Sequence, residues 1–466
     1  MADVRTLQIA VVGSGPAGIY TAEALIKQVA ALTPAGTVQV DVLDRLPTPY
    51  GLVRYGVAPD HPSIRSIAGY LRGVLEHPAV RFLGGVHLGD DVTRDDLLAS
   101  YDAVVYATGA MRDRRLGIPG EDLPGSYAAT DFVNWYCGHP DSDAGAFLLD
   151  AESVAVVGVG NVAVDVARIL VKDPAALRVT DIPQAVLDTL CASKVREVHV
   201  IGRRGPAQAK FTTKELRELG ELDGVDIVVR PEEIDPAAFD PAGESARLAE
   251  SDRRVRGNMG VLTGWAGRPA AGQERRLTLR FWLRPEKIEG TERVSGLTVE
   301  RTRLDEAGRL TGTGQVETIG VQMVFRSVGY QSVPLPGLPF DERTFTVPNA
   351  EGRVTGPDGL PLPGEYVAGW LKRGPTGVVG TNKSDAAATV RSLLADLAAG
   401  TRPEPDPPRV PFPDVLAARG IRPVGYEDWL RVERAEADLA ASLGRGERVK
   451  IGGRESIEAL CRPVSG

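Results

Sequence analysis

Short apolar runs that end in glycine recur along the chain. The first covers residues 7–12 (LQIAVV) and passes through GSGPAG into a helical pattern that extends to about residue 29. A run that is apolar at nearly every position, instead of at alternate ones, predicts a strand buried on both faces, as in a parallel sheet. Residues 38–44 (VQVDVLD) predict a second strand, residues 80–83 and 86–88 short ones. Residues 101–110 (YDAVVYATGA) predict a further buried strand of the same sheet that closes in a small-residue turn. Residues 47–62 are dense in proline and glycine and predict a fixed loop without helix or strand, followed by a helix over about 63–75.

The opening pattern then returns. After a segment rich in proline, glycine and charge at 111–131, residues 153–168 (SVAVVGVGNVAVDVAR) again read as strand, glycine turn and helix. Helical sequence continues to about residue 194, broken near Pro174 and Pro183, and residues 197–202 (EVHVIG) predict the next strand. Residues 223–284 predict strands and irregular structure. Residues 320–330 (GVQMVFRSVGY) repeat the strand-into-turn pattern of 102–110, and residues 364–385 predict a strand and a glycine loop that feed a helix at about 384–397. The proline-dense residues 403–413 read as a linker, with tail helices near 426–443 and 455–460. The fold class is therefore α/β with two Rossmann-like dinucleotide-binding domains. The expected boundaries are 1–112 and 331–400 for one domain, 113–330 for the other, and 401–466 for linker and tail.

Each glycine turn has a chemical reading. In the first, Gly13 permits the tight turn, Gly15 lets a pyrophosphate approach the backbone, and Gly18 lets helix and strand pack closely. The N–H groups at the helix start then face an anion. In the second, Gly158 and Gly160 stand in the first two places and Ala163 in the third. The second strand of the first motif ends in Asp44, an acid suited to ribose hydroxyls. That of the second ends in Arg203 and Arg204, whose forked guanidinium groups suit a 2′-phosphate. One chain thus offers places for two unlike dinucleotides.

Composition narrows the class. A net charge of −8 argues against a nucleic-acid binder, and no apolar run approaches the length needed to span a membrane. The first strand begins without a signal-like segment, so the expected location is the cytoplasm. The three cysteines, Cys137, Cys191 and Cys461, are far apart. No local redox disulfide or iron–sulfur ligand set follows from them. Oligomeric state leaves no trace in the sequence.

Six stretches together resemble the adrenodoxin-reductase-like ferredoxin–NADP⁺ reductases, of the actinobacterial type. They are GSGPAG at 13–18, GLVRYGVAPDHP at 51–62, VGNVAVDVARIL at 159–170, IGRRGPAQAKFTTKELREL at 201–219, RSVGY at 326–330 and VAGWLKRGPTGVVGTNKSDA at 367–386. The resemblance implies FAD on the first motif, NADP(H) on the second, and an NADP domain inserted into the FAD domain. It also implies an activity: hydride transfer between NADPH and FAD, then single-electron transfer to a ferredoxin-type iron–sulfur protein. By the same resemblance Ala17, Asp44, Leu52 and Val86 contact FAD. Trp370, Gly377, Val378 and Val379 lie by the flavin, with Gly377 also touching the nicotinamide. Val159, Gly160, Asn161, Val162, Arg203, Arg204 and Glu215 contact NADP(H). Asp44 stands where the family more often has Glu. His61 and Glu215 match a pair expected near the active centre, His61 either moving a proton or holding its Asp-His-Pro turn. An acidic ferredoxin calls for a basic face, for which Lys372, Arg373, the arginines at 253–256 and Arg275 with Arg276 are candidates. Disulfide reductases and glutamate-synthase-type subunits share the motifs but need cysteines this chain lacks. A non-enzymatic NADP(H)-binding flavoprotein module and another NADPH-dependent flavin oxidoreductase subunit are the remaining alternatives.

Overall fold

A computed structural model describes residues 6–32, 37–377, 379–401 and 409–462. The chain divides into two compact units. Unit one takes residues up to 112, residues 137–141 and residues from 330 onward. Unit two takes 113–136 and 142–329.

The first part of unit one contains β1 (Leu7–Val12), α1 (Pro16–Leu32), β2 (Val38–Asp44), α2 (Leu52–Tyr55), α3 (Pro62–Arg65), α4 (Ile67–Leu75), β3 (Val80–Gly84) and β4 (Ala103–Tyr106). Its apolar runs are strands because both faces of the sheet are covered. Ile9 and Val11 point into one hydrophobic cluster, Ala10 and Val12 into another. Three expectations need correction here. Residues 86–88 form no strand, only a single bridge between Leu88 and Val92. The loop at 47–62 contains the helical turn α2, and the helix expected over 63–75 is split into α3 and α4 at Ser66.

Unit two contains β5 (Ser126–Ala128), β6 (Ser153–Val157), α5 (Asn161–Val171), α6 (Gln184–Cys191), β7 (Glu197–Ile201), α7 (Thr213–Leu219), β8 (Val225–Val229), α8 (Glu244–Ser251) and α9 (Arg253–Trp265). It continues with β9 (Arg275–Arg280), β10 (Leu283–Gly290), β11 (Val294–Leu304), β12 (Leu310–Ile319) and β13 (Met323–Arg326). Six strands form a parallel sheet in the order β5-β13-β6-β7-β9-β8, and β10-β11-β12 form an antiparallel sheet. Residues 223–284 are more helical than expected. In α9, Asp252 caps the start by accepting from Arg254 N–H (2.8 Å) and Val255 N–H (3.3 Å). Val255, Asn258, Leu262 and Trp265 then face inward at helical spacing.

The chain returns to unit one with β14 (Asn349–Ala350), β15 (Arg353–Thr355), β16 (Pro361–Val367), α10 (Trp370–Arg373), α11 (Val379–Ala398), α12 (Phe412–Ala418), α13 (Tyr426–Ser442) and α14 (Arg454–Cys461). The sheet of unit one runs β14-β15-β16-β4-β1-β2-β3, parallel from β16 to β3. α11 begins at Val379, earlier than its sequence pattern suggested. Of the expected linker at 403–413, residues 403–408 lie outside the described residues, and Phe412 already begins α12. Among the described residues no helix is long and apolar enough to cross a membrane.

Candidate functional site

The glycine turn of unit one is closed by its neighbours. Gly13 N–H donates to Leu43 O at 2.7 Å, which ties the turn to the end of β2. Gly13 holds φ +114°, and a Cβ there would lie 2.5 Å from Ala107 O, at the end of β4. A Cβ on Gly18 would lie 1.8 Å from Gly13 O, so strand and helix approach as closely as the motif predicts. Nothing lies within 4 Å of a Cβ built on Gly15. That open side, beside the first turn of α1 with its N–H groups unused by the helix, fits a pyrophosphate.

Asp44 does more for the protein than the ribose reading assigns it. Its Oδ2 accepts from Ser14 N–H (2.8 Å) and Ser14 Oγ (2.6 Å), and its Oδ1 from Leu46 N–H (2.9 Å). A carboxylate has about four acceptor positions, so roughly one remains for a ligand hydroxyl. Val86 is brought to the same strand end, its N–H donating to Asp44 O at 2.9 Å. Leu52 follows Gly51, whose Cβ would lie 3.0 Å from Gly15 Cα. From the other side Gly369, at φ +72°, sits so close to Ala17 that a Cβ would come within 2.5 Å of the Ala17 Cβ.

Gly369 opens α10 and is pinned by Asp385 on α11, which accepts its N–H at 2.6 Å. The other oxygen of Asp385 pairs with Lys372 at 2.9 Å. Trp370 Nε1 is buried and has no hydrogen-bond partner among the described residues, a donor left for a ligand acceptor. Gly377 holds φ +86° and a Cβ would lie 2.8 Å from Thr381 Oγ1. Val379 opens α11. Val378 lies outside the described residues. Unit one therefore gathers Gly13, Gly15, Ala17, Gly18, Asp44, Leu52 and Val86 around one turn, with Gly369 beside Ala17 and Trp370 next to it in the chain.

Unit two repeats the device. Gly158 N–H donates to Ile201 O at 2.9 Å, and a Cβ on Gly158, at φ +140°, would lie 2.0 Å from Ser327 O. Gly160 caps α5 and again has open space on its Cβ side. Asn161 Oδ1 accepts Thr212 N–H at 2.8 Å, and Val159 O accepts Lys210 N–H at 2.8 Å. Both bonds hold the segment that leads into α7. Val162 stands partly exposed in the first turn of α5.

The arginine pair sits beside this turn. A Cβ on Gly202 would lie 2.9 Å from Val159 Cγ1, so residues 202–204 abut the glycine turn. The main chain of the pair is anchored from the antiparallel sheet. Thr302 Oγ1 donates to Arg203 O at 2.8 Å and Trp282 N–H to Arg204 O at 3.2 Å. The side chains stay available. Arg203 is exposed and pairs with no carboxylate among the described residues, while Arg204 Nη1 is 3.9 Å from Glu244 Oε1. Glu215 lies in the first turn of α7, capped by Thr212, and is buried beside Arg168, whose Nη1 is 3.6 Å from its Oε2. Arg168 also pairs with Asp165 at 2.8 Å. Arg168 and Asp165 were missed in the sequence, although their i, i+3 spacing on the helix after a glycine turn was a signal. In unit one, His61 is buried at the start of α3; its N–H donates to Ala58 O (3.1 Å) and its O accepts from Ile64 and Arg65 (3.2 Å each).

Most candidate docking cations already serve the fold. Arg373 donates to Asn382 Oδ1 (2.6 Å), Arg254 to Ala209 O (2.7 Å), and Arg275 to Val171 O (3.0 Å) and Lys172 O (2.9 Å). Arg256 donates to Ala249 O at 3.1 Å, and Arg276 lies 3.8 Å from Glu197. Arg253 is exposed and makes no such bond among the described residues.

Residues 7–235 match the family model described as pyridine nucleotide-disulphide oxidoreductase. NADPH-ferredoxin reductase FprA of Mycobacterium tuberculosis is 44% identical over 457 residues, covering 96% of this chain and 97% of the relative. The chain belongs to the adrenodoxin-reductase-like ferredoxin–NADP⁺ reductases. Within that family it is also 39% identical to human mitochondrial NADPH:adrenodoxin oxidoreductase over 472 residues, 98% of this chain and 92% of the relative. The structure of M. tuberculosis FprA in complex with NADPH matches this reductase with a TM-score of 0.89 at 42% identity, covering 98% of this chain and all of that one. The α/β fold with parallel nucleotide-binding sheets is that of the family.

Proposed function

We propose that this chain is an FAD-dependent NADPH–ferredoxin reductase. The carrying observation is the pair of unlike cradles in one family member: one ends in an acid turned onto its own glycine turn, the other in two available arginines. The open side of Gly15, the closed contacts of Gly13 and Gly18 and the buried Nε1 of Trp370 fit FAD in unit one. The open side of Gly160 and the arginine turn fit NADP(H) in unit two. FAD held in unit one would supply the conversion between a two-electron hydride exchange with NADPH and one-electron delivery to an iron–sulfur partner.

The chain's own residues bind and orient. Gly13, Gly15, Ala17 and Gly18 hold the dinucleotide backbone, Asp44 keeps their turn shaped and offers one acceptor to the ribose, and Leu52 and Val86 wall the turn. Trp370, Gly377 and the start of α11 form the flavin side, Gly377 admitting the nicotinamide by having no side chain. Val159, Gly160, Asn161 and Val162 hold the pyrophosphate of NADP(H), and Arg203 and Arg204 hold its 2′-phosphate. Glu215, held beside Arg168, and His61, fixed in its turn, orient the reacting rings. The partner is a small acidic iron–sulfur protein of the ferredoxin type.

The test is anaerobic mixing of the yellow protein with NADPH and, separately, NADH while flavin absorbance is followed. Bleaching at least about tenfold faster at limiting NADPH than at equal NADH is expected, since tenfold is only about 1.4 kcal/mol. Equal bleaching would overturn the role of the arginines. A protein that carries no flavin, or whose flavin neither coenzyme reduces, would favour the non-enzymatic module.

A further inference from the structure

Helix α13 reaches the loop that walls the glycine turn of unit one. Tyr50 in that loop holds φ +81°, a backbone state an aromatic residue rarely occupies. Such a state persists where the surroundings over-determine it. On the inner side, Tyr50 N–H donates to Ser14 O at 3.0 Å, and Gly51 rests against Gly15. On the outer side the supports come from α13. Tyr426 Oη lies 3.1 Å from Tyr50 Oη, and the Trp429 ring meets the Tyr50 ring edge-on at 6.3 Å.

A buried charge locks the same loop. Arg54 pairs through both Nη atoms with Glu436, Nη1 to Oε2 at 3.3 Å, and its guanidinium lies 4.6 Å over the Trp429 ring. Glu436 is 0% exposed and Arg54 5%. Ile451 N–H donates to Glu436 at 3.1 Å, and the buried Lys450 donates to Arg54 O. Side chain and main chain of Arg54 are thus both held by the tail.

We propose that α13 is a flavin-retention clamp, with Glu436 the positioning residue that keeps residues 50–55 closed on the glycine turn. The inference rests on unit one being the flavin site. A strained loop with one face on a ligand cradle and the other on a buried ion pair relaxes when the pair is lost, and the cradle opens with it.

The test uses the holoprotein with Glu436→Gln, and the double variant Arg54→Met/Glu436→Met, which removes both partners of the buried pair together; Arg448, 3.8 Å from Glu436, is partly exposed and turns to solvent. FAD release after dilution is read from the return of flavin fluorescence, beside the melting temperature of the apoprotein and the KM for NADPH at saturating FAD. Glu436→Gln is expected to release FAD at least about tenfold faster with KM for NADPH unchanged, because losing one partner of a buried pair leaves the other uncompensated. The double variant is expected to regain the apoprotein melting temperature while still shedding FAD faster. If it regains both, or if either variant melts lower yet keeps FAD at the wild-type rate, the clamp is refuted and the tail is structural only. Where Glu436→Gln fails to fold, the double variant alone decides. A wild-type protein that takes up no FAD would refute the flavin site itself, which is distinguishable because no variant is then involved.

Discussion

Replacing Arg203 and Arg204 together by alanine tests the coenzyme assignment where the structure makes the outcome calculable. Their main-chain carbonyls are held by Thr302 and Trp282, so truncating the side chains leaves the turn in place. Neither guanidinium gives up a strong partner to bind phosphate: Arg203 has no paired carboxylate among the described residues and Arg204 has Glu244 only at 3.9 Å. A hydrogen bond to a charged group contributes about 1.5–3 kcal/mol, and ordering an exposed long side chain costs about 0.5–1.5 kcal/mol. For the pair this leaves about 2–4 kcal/mol, or roughly 30- to 1000-fold in Kd. Equilibrium titration of oxidised protein with NADP⁺ and with NAD⁺ measures it. NADP⁺ is expected to weaken by that factor and NAD⁺ to change less than about threefold. Equal weakening of both coenzymes would mean that the arginines hold the turn or the pyrophosphate, and no weakening of either would remove them from the site.

Gly18→Ala is expected to abolish flavin content, since its Cβ would lie 1.8 Å from Gly13 O and relief requires parting α1 from β1. Ala163→Gly, at the matching place in unit two, is expected to cost only about 1 kcal/mol of helix stability, read by thermal unfolding. Asp113 is pushed up to about 6 by burial, so its contribution to stability is intact at about pH 4 and is lost as pH rises through 6. Asp113→Asn keeps an acceptor for Thr130 N–H (2.7 Å) and is expected to stabilise the protein by about 1–2 kcal/mol at pH 8, with no gain at pH 4; a gain independent of pH would exclude the titration. Turnover with an acidic iron–sulfur partner is expected to fall several-fold between about 50 and 500 mM salt while NADPH oxidation by a neutral small acceptor holds steady; parallel curves would argue against electrostatic docking.

How far the chain could be read from its letters depends on what surrounds each segment. The strands at 7–12, 38–44, 153–157 and 197–201 were legible because a parallel sheet covered on both faces forces apolar residues at nearly every position. The antiparallel strands β10 to β12 were not. They bury Leu283, Ile288, Val294, Leu297, Val299 and Leu304 on one side, and their other side is crowded with arginine, glutamate and threonine that pair across strands. α9 was masked by Gly257, Gly260 and Gly264, poor helix formers. At Gly257 a Cβ would lie 2.9 Å from Thr213 Oγ1, so the glycine serves the packing of α9 on α7. Within the candidate site the glycines, Asp44 and the arginines could be named from motif spacing. What spacing could not convey is side-chain commitment: that Asp44 is mostly engaged by Ser14 and Leu46, that Lys372 and Arg373 are held by Asp385 and Asn382, and that Glu215 shares Arg168 with Asp165.

The two cradles also show where selectivity resides. In each, the first glycine is bonded to the end of the second strand and faces the carbonyl at the end of a third, Ala107 in unit one and Ser327 in unit two. The strand-into-turn segments at 102–110 and 320–330 are therefore the second halves of the two cradles, and their likeness in sequence follows from this shared backbone closure. With the backbone the same, the proposed discrimination between the two dinucleotides falls to side chains at the end of the second strand. In unit one that position is turned inward: Asp44 is part of the turn, and replacing it removes three hydrogen bonds from the fold. In unit two it is turned outward: among the described residues Arg203 and Arg204 are anchored through their main-chain carbonyls, with one long side-chain approach of Arg204 to Glu244 at 3.9 Å. With NADP(H) in unit two as proposed, coenzyme preference there would be open to change by side-chain substitution alone, whereas any substitution of Asp44 would alter the cradle as well as its selectivity.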